Sequence, residues 1–212
     1  MISNRLKSIA NYIEKKDSVV DVGCDHGLLS IYLYENKICK HIIASDVNEN
    51  ALANATQNIK KKDLCIQTIL SDGLQAIPME KVNTVIISGM GTNTILHILK
   101  DTNSIDTVHK LVIQSNNDRS LLRKEMNELG YYLKDETVVY ENKKYYVTML
   151  YEKSARKNTK VEIKYGIIKK ENKEYYSYLI SSYRDILHKI PRKKVWTRYR
   201  LKQEIKKIKS FV

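Results

Sequence analysis

Four short segments of the chain combine glycines with acidic residues in a pattern suited to holding an adenosine-containing molecule. They are Asp-Val-Gly-Cys-Asp-His-Gly at 21–27, Asp46, Ser-Asp-Gly at 71–73 and Ser-Gly-Met-Gly at 88–91. Glycines allow sharp turns and a close approach of the backbone to a ligand. Asp46 is suited to accept hydrogen bonds from two ribose hydroxyls, and Asp72 offers a carboxylate to an adenine amino group. Taken singly, each segment equally fits a turn, a helix cap or core filling, so the inference depends on all four together.

The first segment distinguishes between two classes of adenosine-containing cofactor. In the dinucleotide-binding pattern Gly-x-Gly-x-x-Gly the second glycine lies beside a pyrophosphate, and this chain has Asp25 there. A carboxylate would repel phosphates but suits the cationic sulfonium and amino-acid end of S-adenosylmethionine. The segment 88–91 then offers bare backbone at a reaction centre. We therefore predict S-adenosylmethionine rather than NAD.

A doubly wound α/β sheet would bring these segments to one edge. An amphipathic helix is predicted near residues 6–13. Short apolar strands, with helices between them, are predicted at 18–22, 41–44, 65–70, 82–88 and 110–114. This alternation is typical of a parallel sheet covered on both faces. The stretches 131–140 and 144–152 predict an antiparallel hairpin at one edge. Ligands of such folds bind at the carboxyl ends of the strands, where the four segments fall.

The positive charge of the chain is confined to its C-terminal part. The 212 residues include 37 Lys and Arg against 24 Asp and Glu, a formal net charge of +13. Residues 1–151 contain 18 of each sign, so residues 152–212 carry the whole excess. This asymmetry favours a polyanionic partner, either nucleic acid or an anionic membrane surface. A lysine-rich, merely solvated helix would have the same composition.

The basic part is predicted to form a helical hairpin. Apolar residues recur at spacings of four and three along its first helix, at Tyr176, Ile180, Tyr183, Leu187 and Ile190. Pro191 ends that helix. One face of the second helix carries Leu201, Ile205, Ile208 and Val212. The stretch after Glu152 lacks an apolar pattern and predicts a linker. Two domains result, a catalytic domain at 1–152 and a coiled-coil-like basic domain at 160–212.

Several classes of protein are excluded by composition. No run approaches the roughly 18 apolar residues of a membrane span, and the opening residues lack the apolar core of a signal peptide. Cys24, Cys39 and Cys65 contain no Cys-x-x-Cys pair, which argues against structural zinc and suits a reducing compartment. We expect these cysteines to be buried. A cytoplasmic protein with no membrane partner and no metal is predicted.

The order of the motifs resembles a known enzyme family. Arg5-Leu6, DVGCDHGLL, SDGL, ISGMG, IQSN and the hairpin GYYLKDETVVYENKKYY resemble bacterial tRNA (adenine-N1)-methyltransferases that act on the adenine at position 22 in the D-arm. The resemblance extends over essentially the whole chain. Its most specific parts are Asp25-His26 and Gly89-Met90-Gly91. It implies a class I, Rossmann-like methyltransferase fold, S-adenosyl-L-methionine as donor and tRNA as substrate. We expect a monomer.

The resemblance also implies a set of cofactor contacts. They are Asp21, Gly23, Cys24, Asp25, His26, Asp46, Val47, Asp72, Gly73, Gly89, Met90 and Gly91. This chain departs from the family pattern at four places. It has Ser30 for a proline, Asn48-Glu49-Asn50 for a segment with Gly-Pro, Thr92 for a glycine, and Gln114-Ser115-Asn116 for Gln-Pro-Asn. The departures affect the shapes of the loops, and the acidic residue at 46 is retained.

The chemistry of the acceptor suggests roles for the first loop. The N1 atom of neutral adenine has a lone pair in the base plane, so it can attack a methyl group directly when held in line. The methylated base is cationic, so a nearby carboxylate would stabilise it and could accept a proton. We assign Asp25 as catalytic, with His26 orienting it or contacting the base. In the alternative, both residues only bind the methionine end of the cofactor.

The acceptor N1 lies on the Watson–Crick edge, so the base must leave its stack while the RNA is held elsewhere. The predicted RNA contacts are Arg5, Lys7 and Arg119 beside the pocket and Lys189, Arg192, Lys193, Lys194, Arg198 and Arg200 in the tail. Two other functions stay open. One is a methyltransferase of another RNA, another nucleic acid or a protein. The other is a non-catalytic RNA-binding module with a decayed cofactor site.

Overall fold

The computed structural model describes residues 2–101 and 105–211. The strands are β1 (Ser18–Val22), β2 (His41–Asp46), β3 (Gln67–Leu70), β4 (Thr84–Met90), β5 (Lys110–Ser115), β6 (Tyr131–Glu141) and β7 (Lys144–Lys153). The helices are α1 (Asn4–Ala10), α2 (Leu28–Glu35), α3 (Glu49–Lys61), α4 (Thr92–Lys100), α5 (Arg119–Glu128), α6 (Lys160–Tyr165), α7 (Lys173–Lys189) and α8 (Val195–Lys209). The chain divides into two compact units, residues 1–166 and 167–212.

All seven strands form one sheet in the order β3-β2-β1-β4-β5-β7-β6. Strands β1 to β5 are parallel, whereas β7 runs antiparallel to β5 and β6 antiparallel to β7. The predicted fold class, five parallel strands with a terminal hairpin, is confirmed. The strand order reverses between β1 and β4, and this switch point is where doubly wound sheets bind ligands.

Burial explains why the middle of each central strand is apolar. Every residue of β5 is buried, and Val85, Ile86 and Ile87 of β4 have no solvent exposure. Helices cover both faces of the sheet, so the residues along these strands do not alternate between apolar and polar. The one cation in β5, Lys110, is neutralised by Asp17 and donates to the Tyr12 carbonyl oxygen at 3.1 Å. A buried ion needs such partners because desolvation alone would destabilise the fold.

The stretch predicted as a linker is largely attached to the first unit. Asn158 is buried, and it exchanges hydrogen bonds with the Leu133 backbone at 2.8 and 3.1 Å. Its backbone N–H donates to Asn127 at 3.1 Å. The short helix α6 then begins at a capping box between Thr159 and Glu162. The sequence prediction missed this helix because six residues are too few to establish an apolar period.

The second unit is a helical hairpin of α7 and α8, as predicted. Its interior contains Tyr175, Tyr176, Ile180, Ile205 and Ile208, and the Tyr176 and Phe211 ring centroids lie 5.7 Å apart. Arg198 Nη1 donates to the Leu187 and Ile190 carbonyl oxygens, both at 2.7 Å, at the end of α7. Val212, which was predicted on the apolar face of α8, lies outside the described residues.

Candidate active site

A cavity of about 410 Å³ opens at the carboxyl ends of β1, β2 and β4. This volume lies within the range of small-molecule sites. Nine of the predicted functional residues line it, namely Arg5, Asp21, Gly23, Cys24, Asp25, His26, Asp46, Gly89 and Met90. The other lining residues are Leu6, Leu28, Leu29 and Ser88. The fold therefore joins segments that are up to 85 positions apart in the chain at one site.

The loop after β1 needs left-handed backbone at several positions. Gly23, Asp25 and Gly27 have φ values of +72°, +52° and +68°. A Cβ at Gly23 would meet the terminal methyl of Met90, the end of a flexible side chain that can move aside, so it is the left-handed backbone that favours glycine there. The N–H groups of Gly23 and Cys24 both donate to the Ser45 carbonyl oxygen at 2.9 Å. The loop is thereby attached to the end of β2.

Asp46 links the first loop to the start of α3. Its Oδ2 accepts from the Asp25 N–H at 3.0 Å, and its Oδ1 accepts from the Asn48 N–H at 2.9 Å. Each carboxylate oxygen keeps a further lone pair. Asn48 in turn caps α3 by accepting from the Asn50 and Ala51 N–H groups at 3.0 and 3.1 Å. The family's Gly-Pro is thus replaced by a capping residue.

Asp21 is a buried carboxyl at the base of the cavity, only 3% exposed. Burial raises its pKa from 3.8 to about 6, although the Ser30 hydroxyl opposes this shift. That hydroxyl donates to Asp21 Oδ2 at 2.8 Å. Ser30 stands where the family has a proline, so the departure supplies a hydrogen bond to a cavity carboxyl. A cationic ligand beside Asp21 would favour its ionised form.

The predicted catalytic pair lies at the mouth of the cavity. The side chains of Asp25 and His26 are 74% and 53% exposed, and Asp25 Oδ1 lies 3.6 Å from His26 Nε2. This separation permits an electrostatic interaction but exceeds hydrogen-bonding distance. The neighbouring thiol of Cys24 is buried, and burial raises its pKa far above the usual value. Cys24 therefore remains protonated and contributes packing rather than a nucleophile.

Four predicted cofactor residues are not among those that line the cavity, namely Val47, Asp72, Gly73 and Gly91. Val47 follows Asp46 and is 65% exposed. Asp72 is exposed after β3, and the neighbouring Ser71 N–H donates to the Asp46 carbonyl oxygen at 3.0 Å. The cofactor contacts of these four residues stay predictions.

A polar chain that the sequence did not predict supports the bulge in β4. Arg5 Nη1 donates to Gln114 Oε1 at 2.9 Å, and Gln114 Nε2 donates to Asn116 Oδ1 at 3.2 Å. Asn116 Nδ2 donates to the Gly89 carbonyl oxygen at 2.6 Å. Gly89 itself has φ +80° at an irregularity in the β4–β5 pairing. The motif Gln-Ser-Asn was visible in the sequence, but periodicity gave no sign of these distant partners.

Two of the residues that depart from the family pattern are hydrogen-bonded to each other. Thr92 Oγ1 lies 2.8 Å from Ser115 Oγ, and it donates to the Asn117 carbonyl oxygen at 2.7 Å. The family has glycine and proline at positions 92 and 115, which lack these hydroxyls. The two substitutions therefore tie the start of α4 to the end of β5.

A second groove of about 710 Å³ shares Arg5, Leu6 and Leu28 with the cavity. Its other lining side chains include Tyr32, Glu141 and Tyr146. The Arg5 guanidinium lies 5.7 Å from the Tyr146 ring centroid, and the Arg5 N–H donates to Glu141 Oε2 at 3.1 Å. Arg5 is thus held between the two spaces.

The predicted RNA-binding residues are found in both units. In the first unit, Arg5 faces the cavity, while Lys7 and Arg119 are half-buried. In the second, Lys189, Arg192, Lys193, Lys194 and Arg200 are exposed. Arg198 is half-buried because it hydrogen-bonds the end of α7. It has a structural function in addition to the predicted RNA contact.

Three further observations concern the cysteines, possible metal-binding groups and the hydropathy of the helices. Cys24 and Cys39 are buried, but the prediction for Cys65 is wrong because it is exposed. Across residues 2–101 and 105–211, no group of three His, Cys, Asp or Glu side chains could hold a metal ion. None of the helices described in those ranges has the length and apolarity needed to cross a membrane.

The comparisons with known proteins agree with this site. A family model described as a methyltransferase domain matches residues 2–149. The chain therefore belongs to this methyltransferase family.

Particular members support the resemblance seen in the motifs. TrmK from M. capricolum, solved with S-adenosyl-homocysteine, is 32% identical with a TM-score of 0.84, and the match covers 100% of this chain and 97% of that one. The tRNA (adenine(22)-N(1))-methyltransferase of Bacillus subtilis is 28% identical over 158 residues, 73% of this chain and 66% of its own length. The chain thus spans just under two thirds of that curated relative. Ribosomal protein L11 methyltransferase of Thermotoga neapolitana is 29% identical over only 50% of this chain. The predicted resemblance to tRNA (adenine-N1)-methyltransferases is confirmed.

Proposed function

We propose that this protein transfers the methyl group of S-adenosyl-L-methionine to N1 of the adenine at position 22 of tRNA. The observation that carries the proposal is the acidic cavity at the β1/β4 switch point, in a chain whose whole length matches a solved TrmK structure with bound S-adenosyl-homocysteine. Residues 1–152 would supply the catalytic domain and residues 160–212 the basic tRNA-binding domain. We further propose that the protein acts as a monomer in the cytoplasm.

The side chains of the cavity suit this cofactor. Asp21, Asp25 and Asp46 provide three carboxyl groups, whereas Arg5 is the one Lys or Arg among the lining residues described. Arg5 is already hydrogen-bonded to Gln114. An acidic lining attracts a sulfonium and an ammonium group and repels a pyrophosphate. We assign Asp46 to the ribose hydroxyls because both of its oxygens are oriented by backbone N–H groups and retain free lone pairs.

When bound, S-adenosyl-L-methionine supplies an electrophilic methyl group on a cationic sulfur. The chain has to hold the acceptor nitrogen in line with that group, because correct positioning alone accounts for much of the rate in such reactions. The bulge at Gly89 opens space beside Arg5, since the nearest atom to a Cβ there would be Arg5 Nη1 at 3.8 Å. We propose that the target base enters through the groove between Arg5 and Tyr146 and meets the cavity at this bulge.

Asp25 is proposed to stabilise the positive charge that develops on the methylated base. Its exposed carboxylate lies at the cavity mouth, where it would face an entering base rather than the buried part of the site. Charge stabilisation directed at the transition state is the larger contribution, and proton acceptance from the exocyclic amine would follow. His26 would orient Asp25 or contact the base.

The match along the whole chain favours tRNA over a protein substrate, because the L11 methyltransferase match covers half of the chain. The experiment measures transfer of labelled methyl from S-adenosyl-L-methionine to an unmodified tRNA and to the same tRNA with guanine at position 22. We expect transfer to the first alone. Transfer to both would indicate another RNA position, and absence of cofactor binding in calorimetry would favour the non-catalytic module.

The role of Asp25 is tested with Asp25→Asn. We expect turnover at saturating cofactor to fall by about 100-fold, the lower range for a catalytic acid or base, with a smaller change in cofactor affinity. Asp63→Asn is the matched control, because Asp63 is also an exposed aspartate with φ +52° but lies at the end of α3. Full turnover with weakened affinity would show that Asp25 only binds the cofactor.

A further inference from the structure

The start of α8 exposes three large apolar side chains that the core of the second unit does not use. Val195, Trp196 and Tyr199 are 66%, 78% and 54% exposed, and together they are called the aromatic patch. The apolar residues that α8 contributes to the interior are Ile205 and Ile208, at 8% and 1% exposure. Exposed aromatic side chains next to one another on a folded unit mark a surface for a partner.

The geometry of the two rings leaves their faces available. Trp196 and Tyr199 are three residues apart on a helix, so they are neighbours on its surface. Their ring centroids lie 6.4 Å apart with an interplanar angle of 86°. Because the rings meet edge to face rather than stacked, each ring keeps at least one face uncovered by the other. A flat aromatic group could therefore stack on the Trp196 ring.

The charge around the aromatic patch identifies the kind of partner. From Lys189 to Arg200, both included, the sequence has six cationic residues and no acidic residue. Arg192 and Arg200 are four positions before and after Trp196, and both are exposed. Aromatic rings beside exposed cations are the combination with which proteins hold unpaired nucleotides, since rings stack on bases while cations pair with phosphates.

We propose that the aromatic patch stacks on an unpaired base of the tRNA while Arg192, Lys193, Lys194 and Arg200 contact the adjacent phosphates. This inference rests on the proposed function and deepens it, because it gives the tail an uncharged contact as well as an electrostatic one. A membrane surface would fit less well. Interfacial helices bury a long apolar face, whereas this patch is one helical turn and the remaining apolar face of α8 is already buried in the unit.

The sequence provides a direct probe, because Trp196 is its only tryptophan. The full-length protein is titrated with unmodified tRNA while tryptophan emission and filter binding are recorded in parallel. We expect emission to be quenched with the same midpoint as binding. Trp196→Ala should weaken binding by about 5- to 150-fold, the equivalent of removing one base stack, and Trp196→Phe should restore part of the affinity.

Salt dependence separates stacking from charge. Trp196→Ala should leave the slope of log affinity against log salt unchanged, whereas replacing Lys193 and Lys194 by alanine should reduce it by about 0.7 for each phosphate that is no longer neutralised, the value for single strands. Tyr178→Ala is the matched control, because Tyr178 is a 52% exposed tyrosine on α7 of the same unit. It should change affinity less than twofold.

Unchanged emission during tRNA binding, or tight binding by Trp196→Ala, would overturn the proposal. A blue shift with phosphatidylserine vesicles and no quenching with tRNA would overturn it in favour of a membrane surface. Methyl transfer to tRNA is measured on the same preparations. Absence of methyl transfer would contradict the proposed function, whereas normal transfer with unchanged Trp196 emission would contradict this inference alone.

Discussion

Replacing Asp21 with asparagine should stabilise the protein at neutral pH. The Asp21 carboxyl is buried, and its pKa of about 6 exceeds its ordinary value of 3.8. Between these two values the folded protein binds more protons than the unfolded chain, so stability falls as pH rises through this window. Above about pH 6 the ionised carboxyl lowers the free energy of unfolding by its full amount, about 3 kcal/mol for a pKa shift of this size. Asparagine carries no such charge and can still accept from the Ser30 hydroxyl.

Thermal unfolding of the wild type and Asp21→Asn at two pH values provides the assay. At pH 7.5 we expect the variant to melt about 6–12 °C higher, since 1 kcal/mol corresponds to about 2–4 °C in a chain of this size. At pH 5 the free-energy difference should fall to about half, because the wild-type carboxyl is then largely protonated. Asp25→Asn is the control, because Asp25 is exposed and should show no change in melting at either pH.

The same substitution should damage cofactor binding while it stabilises the fold. Ionised Asp21 attracts a cationic ligand, so wild-type affinity for S-adenosyl-L-methionine should weaken as pH falls below about 6. Asp21→Asn should bind more weakly at pH 7.5 and lack this pH dependence. The reasoning would be refuted if the variant melted at a lower temperature than the wild type at pH 7.5. It would also be refuted if the difference in melting temperature were the same at both pH values.

Three further substitutions test the geometry of the site. Gly23→Ala and Gly130→Ala should each destabilise the protein by roughly 1–2 kcal/mol in urea melts, because both positions have left-handed backbone. The Met90 methyl beside Gly23 ends a flexible side chain and can move aside, so a loss for Gly23→Ala far above that for Gly130→Ala would contradict this reasoning. Gln114→Ala should lower the rate of methyl transfer at least tenfold, because it releases Arg5 and Asn116. Gln57→Ala, at an exposed glutamine, is the control. Unchanged kinetics of Gln114→Ala would show that the polar chain is not needed. In a double-mutant cycle followed by urea unfolding, Thr92→Val and Ser115→Ala should show a coupling energy of about 1 kcal/mol, as expected for a buried hydrogen bond. Strictly additive effects would show that the two hydroxyls do not stabilise the fold through each other.

The apolar strands and the turn glycines carried most of the information from which the fold could be predicted. Strands such as β5 are buried on both faces, so their composition reveals a parallel sheet directly. The loop residues of the site were predictable because they follow strand ends. Boundaries were less accurate: the strand predicted at 65–70 begins at Gln67, and the one predicted at 82–88 runs from Thr84 to Met90.

The polar partners of the site could not be predicted. Arg5 and Gln114 are 109 positions apart, and only the completed sheet brings them to 2.9 Å. The hydroxyl pair of Thr92 and Ser115 is similar, because the two residues are 23 positions apart and meet only in the folded sheet. The burial of Asn158 within the predicted linker could not be foreseen for the same reason, since it depends on Asn127 and Leu133. The periodicity of apolar residues and the composition indicate which residues are buried, but they do not indicate which distant groups those residues contact.

The position and chemistry of the methylated atom test the central claim most directly. An unmodified tRNA is incubated with the full-length protein and S-adenosyl-L-methionine, and the product is analysed by mass spectrometry of nucleosides and by primer extension. A methyl group on N1 blocks base pairing, so we predict N1-methyladenosine and an extension stop at position 22. Methylation at another position, or a methyladenosine that does not stop extension, would contradict the account.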